Sequence, residues 1–370
     1  MSLQHLYVRF NQSPRGVRFI ITCLVAMAGG TLFWTLHSPL PWLLGPLISL
    51  VVCVILGFDR LWVPAWFRRM GLIIVGVTLG LRITPSIWQT MAEHIGEMVL
   101  ATVITLAFGL LSAWVLYKVH KVDLTTAVFS NIPGGLSEMV SLGQSQGGNL
   151  QIISMFHSIR VMIIVVLTPF LVMLLSHHGV LPPAAPVNQT LGGVQTVILL
   201  LIGVAAAALA ARLSVPAPFL LGPFFLTMAI SLFSTLVGER HALAGILVSS
   251  AQLLIGMSIG VEFKREEVIH YRKLCIWALL FSLLLLLMSF SLAAILSYTA
   301  GIDLITSILA TAPGGLAEMS LTAIATDADP LLVTAFQLFR VLFIVTILPV
   351  FVRWFVLRVG NRGRNRGVRE

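Results

Sequence analysis

The chain has 370 residues, of which 58% are hydrophobic and only 10% charged, and its formal net charge is +9. A soluble domain carries about a quarter of its residues charged, so this composition excludes a soluble globule and assigns the chain to a bilayer. The basic excess fits loops and a tail that face the cytoplasm, above all Arg358 to Arg369, and not nucleic-acid binding.

In chain order, apolar segments are expected at 18–36, 40–57, 70–84, 97–118, 123–142 and 152–176. A polar, Pro-rich linker follows at Ser176–Gln189. A second series is expected at 191–212, 217–237, 244–261, 274–298, 303–322 and 331–357, ending in the basic tail. Residues 1–29 look like a secretory signal, yet the second series keeps an equivalent helix, so an uncleaved anchor is expected. The fold class is therefore an all-α polytopic membrane protein of two internal repeats, 1–185 and 186–370.

The repeats are written in the sequence. Residues 123–139 (DLTTAVFSNIPGGLSEM) return at 303–319 as DLITSILATAPGGLAEM. Pro39-Leu-Pro-Trp-Leu-Leu-Gly-Pro46 returns as Pro216-Ala-Pro-Phe-Leu-Leu-Gly-Pro223, Gly76 and Gly80 return as Gly256 and Gly260, and Arg160-Val returns as Arg340-Val. Six full spans per half would make the halves parallel, whereas five spans plus a hairpin would invert one of them. Basic residues favour inversion. If 123–142 and 303–322 each enter, break and return, Arg82 and Arg240 are the only basic loop residues left outside. Both termini are then cytoplasmic.

Pro133-Gly134-Gly135 and Pro313-Gly314-Gly315 disfavour a continuous helix, because proline lacks an amide proton and the glycines restrain the backbone little. Two half-helices with an unwound link are expected in each copy. Freed backbone groups cannot face lipid, so they must be buried in protein or line a wet cavity. Asn131 and Thr311 add hydrogen-bonding groups at the breaks, and Asp123 and Asp303 are expected to cap the first half-helices. Glu138 precedes Arg160 by the same interval that separates Glu318 from Arg340. Each pair reads either as a structural ion bridge or as groups that meet a solute or a proton. His157, one turn before Arg160 and replaced by Gln337 in the second copy, is either a proton-handling group or a satisfied polar core residue. Gly76, Thr78 and Gly80, with Gly256, Ser258 and Gly260, form small-residue faces for close packing or for lining a cavity. The Leu-Leu-Gly-Pro motifs are expected to mark a kink or a helix start. Cys23, Cys53 and Cys275 read as small core residues. No metal-ligand spacing or nucleotide-binding loop is found, so no cofactor and no enzyme activity are expected.

With these doubled motifs in place, the chain resembles the AbrB duplication family of bacterial membrane proteins over essentially its whole length. Members carry labels as ammonia monooxygenases or as regulators of gene expression. The resemblance implies a duplicated inner-membrane protein and carries over no catalytic residue. Monooxygenation needs a metal or organic cofactor, for which the sequence offers no ligand cluster.

The preferred reading is a secondary transporter of a small anionic or zwitterionic solute, working by alternating access. The solute would sit between the two breaks, near Asn131, Pro133, Gly134, Gly135, Thr311, Pro313, Gly314, Gly315, Arg160 and Arg340. Glu138, Glu318 or His157 would couple a proton or sodium. The expected partners are the lipid bilayer and the solute, without direct nucleic-acid contact, and homo-oligomer formation stays open. A membrane regulator acting through a partner or metabolite is the alternative.

Overall fold

Apolar runs with no water to serve the backbone must satisfy their amides internally, and here they do so as helices. The structure is a computed structural model that describes residues 13–82, 92–175, 191–215, 217–236, 243–326, 328–344 and 346–347, without the side chains of 136–138 and 234–236. The expected linker 176–189, Arg240 and the basic tail lie outside these residues. No strand occurs among the described residues.

The first half begins with α1 (Arg15–Thr35), α2 (Pro41–Leu56) and α3 (Ala65–Gly80). It continues with α4 (Ile95–His120), the short α5 (Leu124–Asn131) and α6 (Leu136–Ser145), and the long α7 (Leu150–Leu175). The second half begins with α8 (Gly193–Arg212), α9 (Pro218–Leu236) and α10 (Gly245–Glu262). The six-residue α11 (Arg265–His270) leads to α12 (Arg272–Ala300). Then come α13 (Leu304–Thr311), α14 (Leu316–Ala325) and α15 (Pro330–Ile344). Six of these (α1, α4, α7, α8, α10 and α12) are long and apolar enough to cross a membrane, so this is a helical membrane protein.

One bundle is made of α1–α3 and α8–α10, with α2 against α10 and α3 against both α9 and α10. Glycines set these crossings. A Cβ on Gly76 would collide with the Leu220 carbonyl of α9, and one on Gly256 would collide with the Leu43 carbonyl of α2. Leu43 and Leu220 are the same position in the two Leu-Leu-Gly-Pro motifs. The small-residue faces therefore serve close backbone approach, not a cavity. Thr78 and Ser258 confirm it, since each hydroxyl donates within its own helix, to Ile74 and Leu254, at 2.7 Å.

The Leu-Leu-Gly-Pro motifs themselves lie inside α2 and α9, with Pro46 and Pro223 within the helices. The helix starts belong instead to Pro41 and Pro218, each preceded by a left-handed residue, Leu40 (φ 49°) and Ala217 (φ 46°). Beside Pro46, Gly45 lies backbone-to-backbone on Gly29 of α1.

Helices α3 and α10 run antiparallel. Gly71 of α3 packs on Ile255 of α10, and one turn back toward the start of α3, Arg68 forms an ion pair with Glu262 at the end of α10. The other bundle gathers α4–α7 with α12–α14: α5 lies between α4 and α7, and α12 packs on α4, α7 and α13.

Gly76→Ala and Gly256→Ala should each lower stability by about 1–3 kcal/mol, because the intruding methyl meets backbone that cannot rotate away. Gly193→Ala, whose Cβ would meet nothing within 4 Å, serves as the neutral control. Thermal unfolding of the detergent-purified protein checks both.

Candidate functional site

Each Pro-Gly-Gly element sits at the tip of a helical hairpin. The Asp123 carboxylate accepts from Thr126 N at 2.8 Å and so caps α5, and Asp303 does the same for α13 through Thr306 N at 3.0 Å. The Thr126 hydroxyl in turn accepts from Asn149 N at 2.7 Å, although 23 residues separate the two. A continuous helix of that length would hold them about 34 Å apart. The chain therefore turns back at Ile132–Gly135 and returns to its starting level. Thr306 and Asp329 N, 3.0 Å apart, close the second hairpin in the same way. Asn149 and Asp329 then begin α7 and α15 by accepting from Ile152 N and Leu332 N, both at 3.2 Å. These caps escaped the sequence reading, though both residues precede an apolar run at the repeat offset.

Breaking a helix leaves its last carbonyls without amide partners. In the first copy, α7 supplies the donors. Arg160 donates from Nη1 to the Ile132 carbonyl at 3.0 Å and from Nη2 to the Ser130 carbonyl at 2.5 Å. His157 Nε2 donates to the Phe129 carbonyl at 2.8 Å. In the second copy, α15 does the same work. Arg340 Nη1 donates to the Thr311 and Ala312 carbonyls, both at 3.2 Å, and Gln337 Nε2 to those of Leu309 and Ala312 at 2.8 and 2.9 Å. Arg340 also donates to the Gln337 amide oxygen, which holds the two side chains together. His157 and Gln337 are thus matched caps, and their hydrogen bonds favour the core-residue reading of His157.

The expected Glu318–Arg340 ion bridge is not formed. Each charge goes instead to the helix end of opposite sign. Arg340 reaches the carbonyl end of α13, whereas Glu318 lies in the first turn of α14 with its carboxylate folded over Gly315 (φ 100°). Glu318 is 5% exposed, and its helix packs on α3 of the other bundle. The Glu138 side chain, and with it a Glu138–Arg160 bridge, lies outside the described residues. Among the described residues no three His, Cys, Asp or Glu side chains converge as a metal site.

The breaks meet around α7. Gly314 of the second break packs on Ile164, one turn beyond Arg160, and the charge of Arg340 acts on Arg160. Beside Arg160 opens a small pocket with space for roughly one water-sized group, lined by Ser112, Asn131, Phe281 and Ser282 among others. Of the expected site residues, Asn131 and Arg160 share this pocket, Thr311 and Arg340 belong to the second break, which packs on α7, and Glu318 sits in α14, which also packs on α3. Ser112 and Ser282 were not legible, because a serine in an apolar helix carries no signal until its neighbours are known.

If His157 is a cap, His157→Gln should leave the thermal midpoint within about 1 kcal/mol of the parent, since glutamine already does this work in the other copy. His157→Leu should cost about 1–3 kcal/mol by orphaning the Phe129 carbonyl. Equal midpoints for the two variants would exclude the capping role.

A family model described as "Transition state regulatory protein AbrB" matches residues 42–356. The chain is similar to "Uncharacterized protein YhjN" of Bacillus subtilis, at 31% identity over 89% of this chain and 91% of that protein. It is also similar to "Putative regulator AbrB" of Escherichia coli, at 24% identity over 90% and 94% of the two chains. Because the match spans most of its length, and both Pro-Gly-Gly motifs fall inside it, the chain belongs to the AbrB family.

Proposed function

We propose that this protein is a secondary transporter in the bacterial inner membrane that moves a small anionic or zwitterionic solute by alternating access. The observation that carries the reading is the pair of broken hairpins, each held by a buried arginine from the following helix and brought together inside a helical bundle. A membrane protein retains unwound backbone and buried charge at such depth where they line a path for polar cargo.

The halves are read as inverted copies. Helices α3 and α10 occupy equivalent places in the two repeats and cross antiparallel, which parallel repeats would not do. Basic loops placed on the cytoplasmic side agree with this. On that topology the first hairpin enters from the cytoplasm and the second from outside. The α1–α3/α8–α10 bundle, locked by glycine contacts, is the frame. The bundle that carries both breaks moves against it, and Glu318, on α14 where it packs against α3 of the frame, couples the movement to a proton or sodium ion.

A second reading, a membrane regulator acting through a partner, draws on the name of the Escherichia coli relative alone. The two readings separate in proteoliposomes. Purified protein should accumulate at least one small carboxylate or amino acid under an imposed proton or sodium gradient, and Glu318→Gln should abolish the gradient dependence while the protein stays folded. A panel with no accumulation, or uptake indifferent to Glu318→Gln, would count against the transporter and against the coupling role respectively.

Topology has its own test, in a variant lacking Cys23, Cys53 and Cys275. Thr299→Cys should react with a membrane-impermeant thiol reagent applied outside cells, and Gln146→Cys should stay protected until the membrane is opened. External labelling at position 146 would overturn the inverted arrangement.

A further inference from the structure

The two breaks act as internal controls for each other, and they are not finished alike. In the second copy the Thr311 hydroxyl is spent inside the protein: it donates to the Ser307 carbonyl at 2.8 Å and accepts from Ser289 Oγ at 3.1 Å. In the first copy the equivalent of Ser289 is Gly109, which has no side chain to offer. Asn131 replaces Thr311, and its Nδ2 donates to the Ala127 carbonyl at 2.9 Å, leaving a second N–H on the same nitrogen. Ser112, which takes the place of Leu292, adds a hydroxyl at the same level. Ser112 and Asn131 both line the pocket between α4, α7 and α12.

Charge separates the copies further. Arg160 is 4% exposed, its two described hydrogen bonds end on neutral carbonyls, and no described carboxylate forms an ion pair with it. Arg340 adds a second positive charge within electrostatic reach. Two guanidinium groups buried in a membrane-embedded bundle call for a counter-charge. Arg160 borders the described pocket, and the side chain of Glu138, beside the same break, lies outside the described residues.

We propose that the first break alone is a ligand site, and that it binds one compact monoanionic group against Arg160, with Ser112 and Asn131 as further donors. Phe108, Phe156 and Phe281 are among the residues that wall the pocket, and its room for about one water-sized group limits what enters to a small halide or a single carboxylate oxygen. The second break is a structural counterpart already filled by its own side chains. This inference deepens the transport reading and rests on it for the pocket's purpose, but the binding itself can be measured separately.

The test uses full-length protein in detergent, in sodium gluconate at constant ionic strength. Chloride, bromide, formate and acetate are titrated while the thermal midpoint and the fluorescence of Trp277, whose ring lies 5.3 Å from that of Phe281, are followed. At least one of the four should give a saturable shift; halides and carboxylates distinguish the two sources of the charge. Ser112→Leu and Asn131→Thr install the side chains that the second copy already accommodates, so both variants should fold. Each should weaken binding by roughly tenfold or more, through loss of a donor to a charged group. Ser289→Ala, in the filled copy, should leave the titration unchanged. The proposal falls if none of the four anions shifts the wild-type protein, or if Ser112→Leu and Asn131→Thr bind like the parent. Binding with no uptake in proteoliposomes would remove the transport reading and leave the site standing. Uptake indifferent to Ser112→Leu would do the reverse.

Discussion

The architecture depends on how a helix end can exist inside a low-dielectric bundle. A Pro-Gly-Gly break frees several carbonyls, and each would cost several kcal/mol if it faced lipid. Here the next helix answers them with side chains one turn apart, Arg160 with His157 and Arg340 with Gln337. The arginines thereby acquire carbonyl partners, and the broken helices acquire a fixed orientation. Residues 124–175 and 304–344 become single three-part units, in which hairpin and following helix cannot move independently.

Around these units the protein divides its labour by residue size. In the α1–α3/α8–α10 bundle, glycines at equivalent places bring backbones into contact, and the same contact is made twice with the halves exchanged. Such surfaces interlock and resist sliding, because a carbonyl oxygen cannot rotate out of the way as a side chain can. The bundle with the breaks is packed by larger side chains, among them Phe129, Phe156, Ile153 and Met139. A rigid frame beside a unit that carries buried polar groups is a division suited to alternating access.

Charge placement follows the helix dipoles. Arginine sits at carbonyl ends and glutamate at an amide end, so oppositely charged residues at matched spacing need not meet. That explains why the constant interval between Glu318 and Arg340 reads as an ion bridge in the sequence and is none in the structure. A regular spacing reports that two residues belong to the same repeat; it does not report which atoms they face.

Much was legible from the sequence alone. It fixed a helical membrane protein through composition, the repeats through recurring motifs, the breaks through Pro-Gly-Gly, and the caps through Asp123 and Asp303. Each of these is a local property of the chain: an apolar run has no stable alternative to a helix in a bilayer, and proline has no amide proton wherever it occurs. What only the tertiary structure decided concerns partners distant in the chain. It returned each hairpin to its own starting level, set Arg160 and Arg340 on carbonyls, folded the Glu318 carboxylate over Gly315, and put the small-residue faces against the opposite half's Leu-Leu-Gly-Pro helix. These outcomes depend on which surfaces meet when two similar halves pack crosswise, and the motifs shared by the two copies hold no local record of that crossing. The difference between Gly109 and Ser289, one residue in a chain of 370, acquires its meaning only once the neighbouring Asn131 and Thr311 are seen beside them.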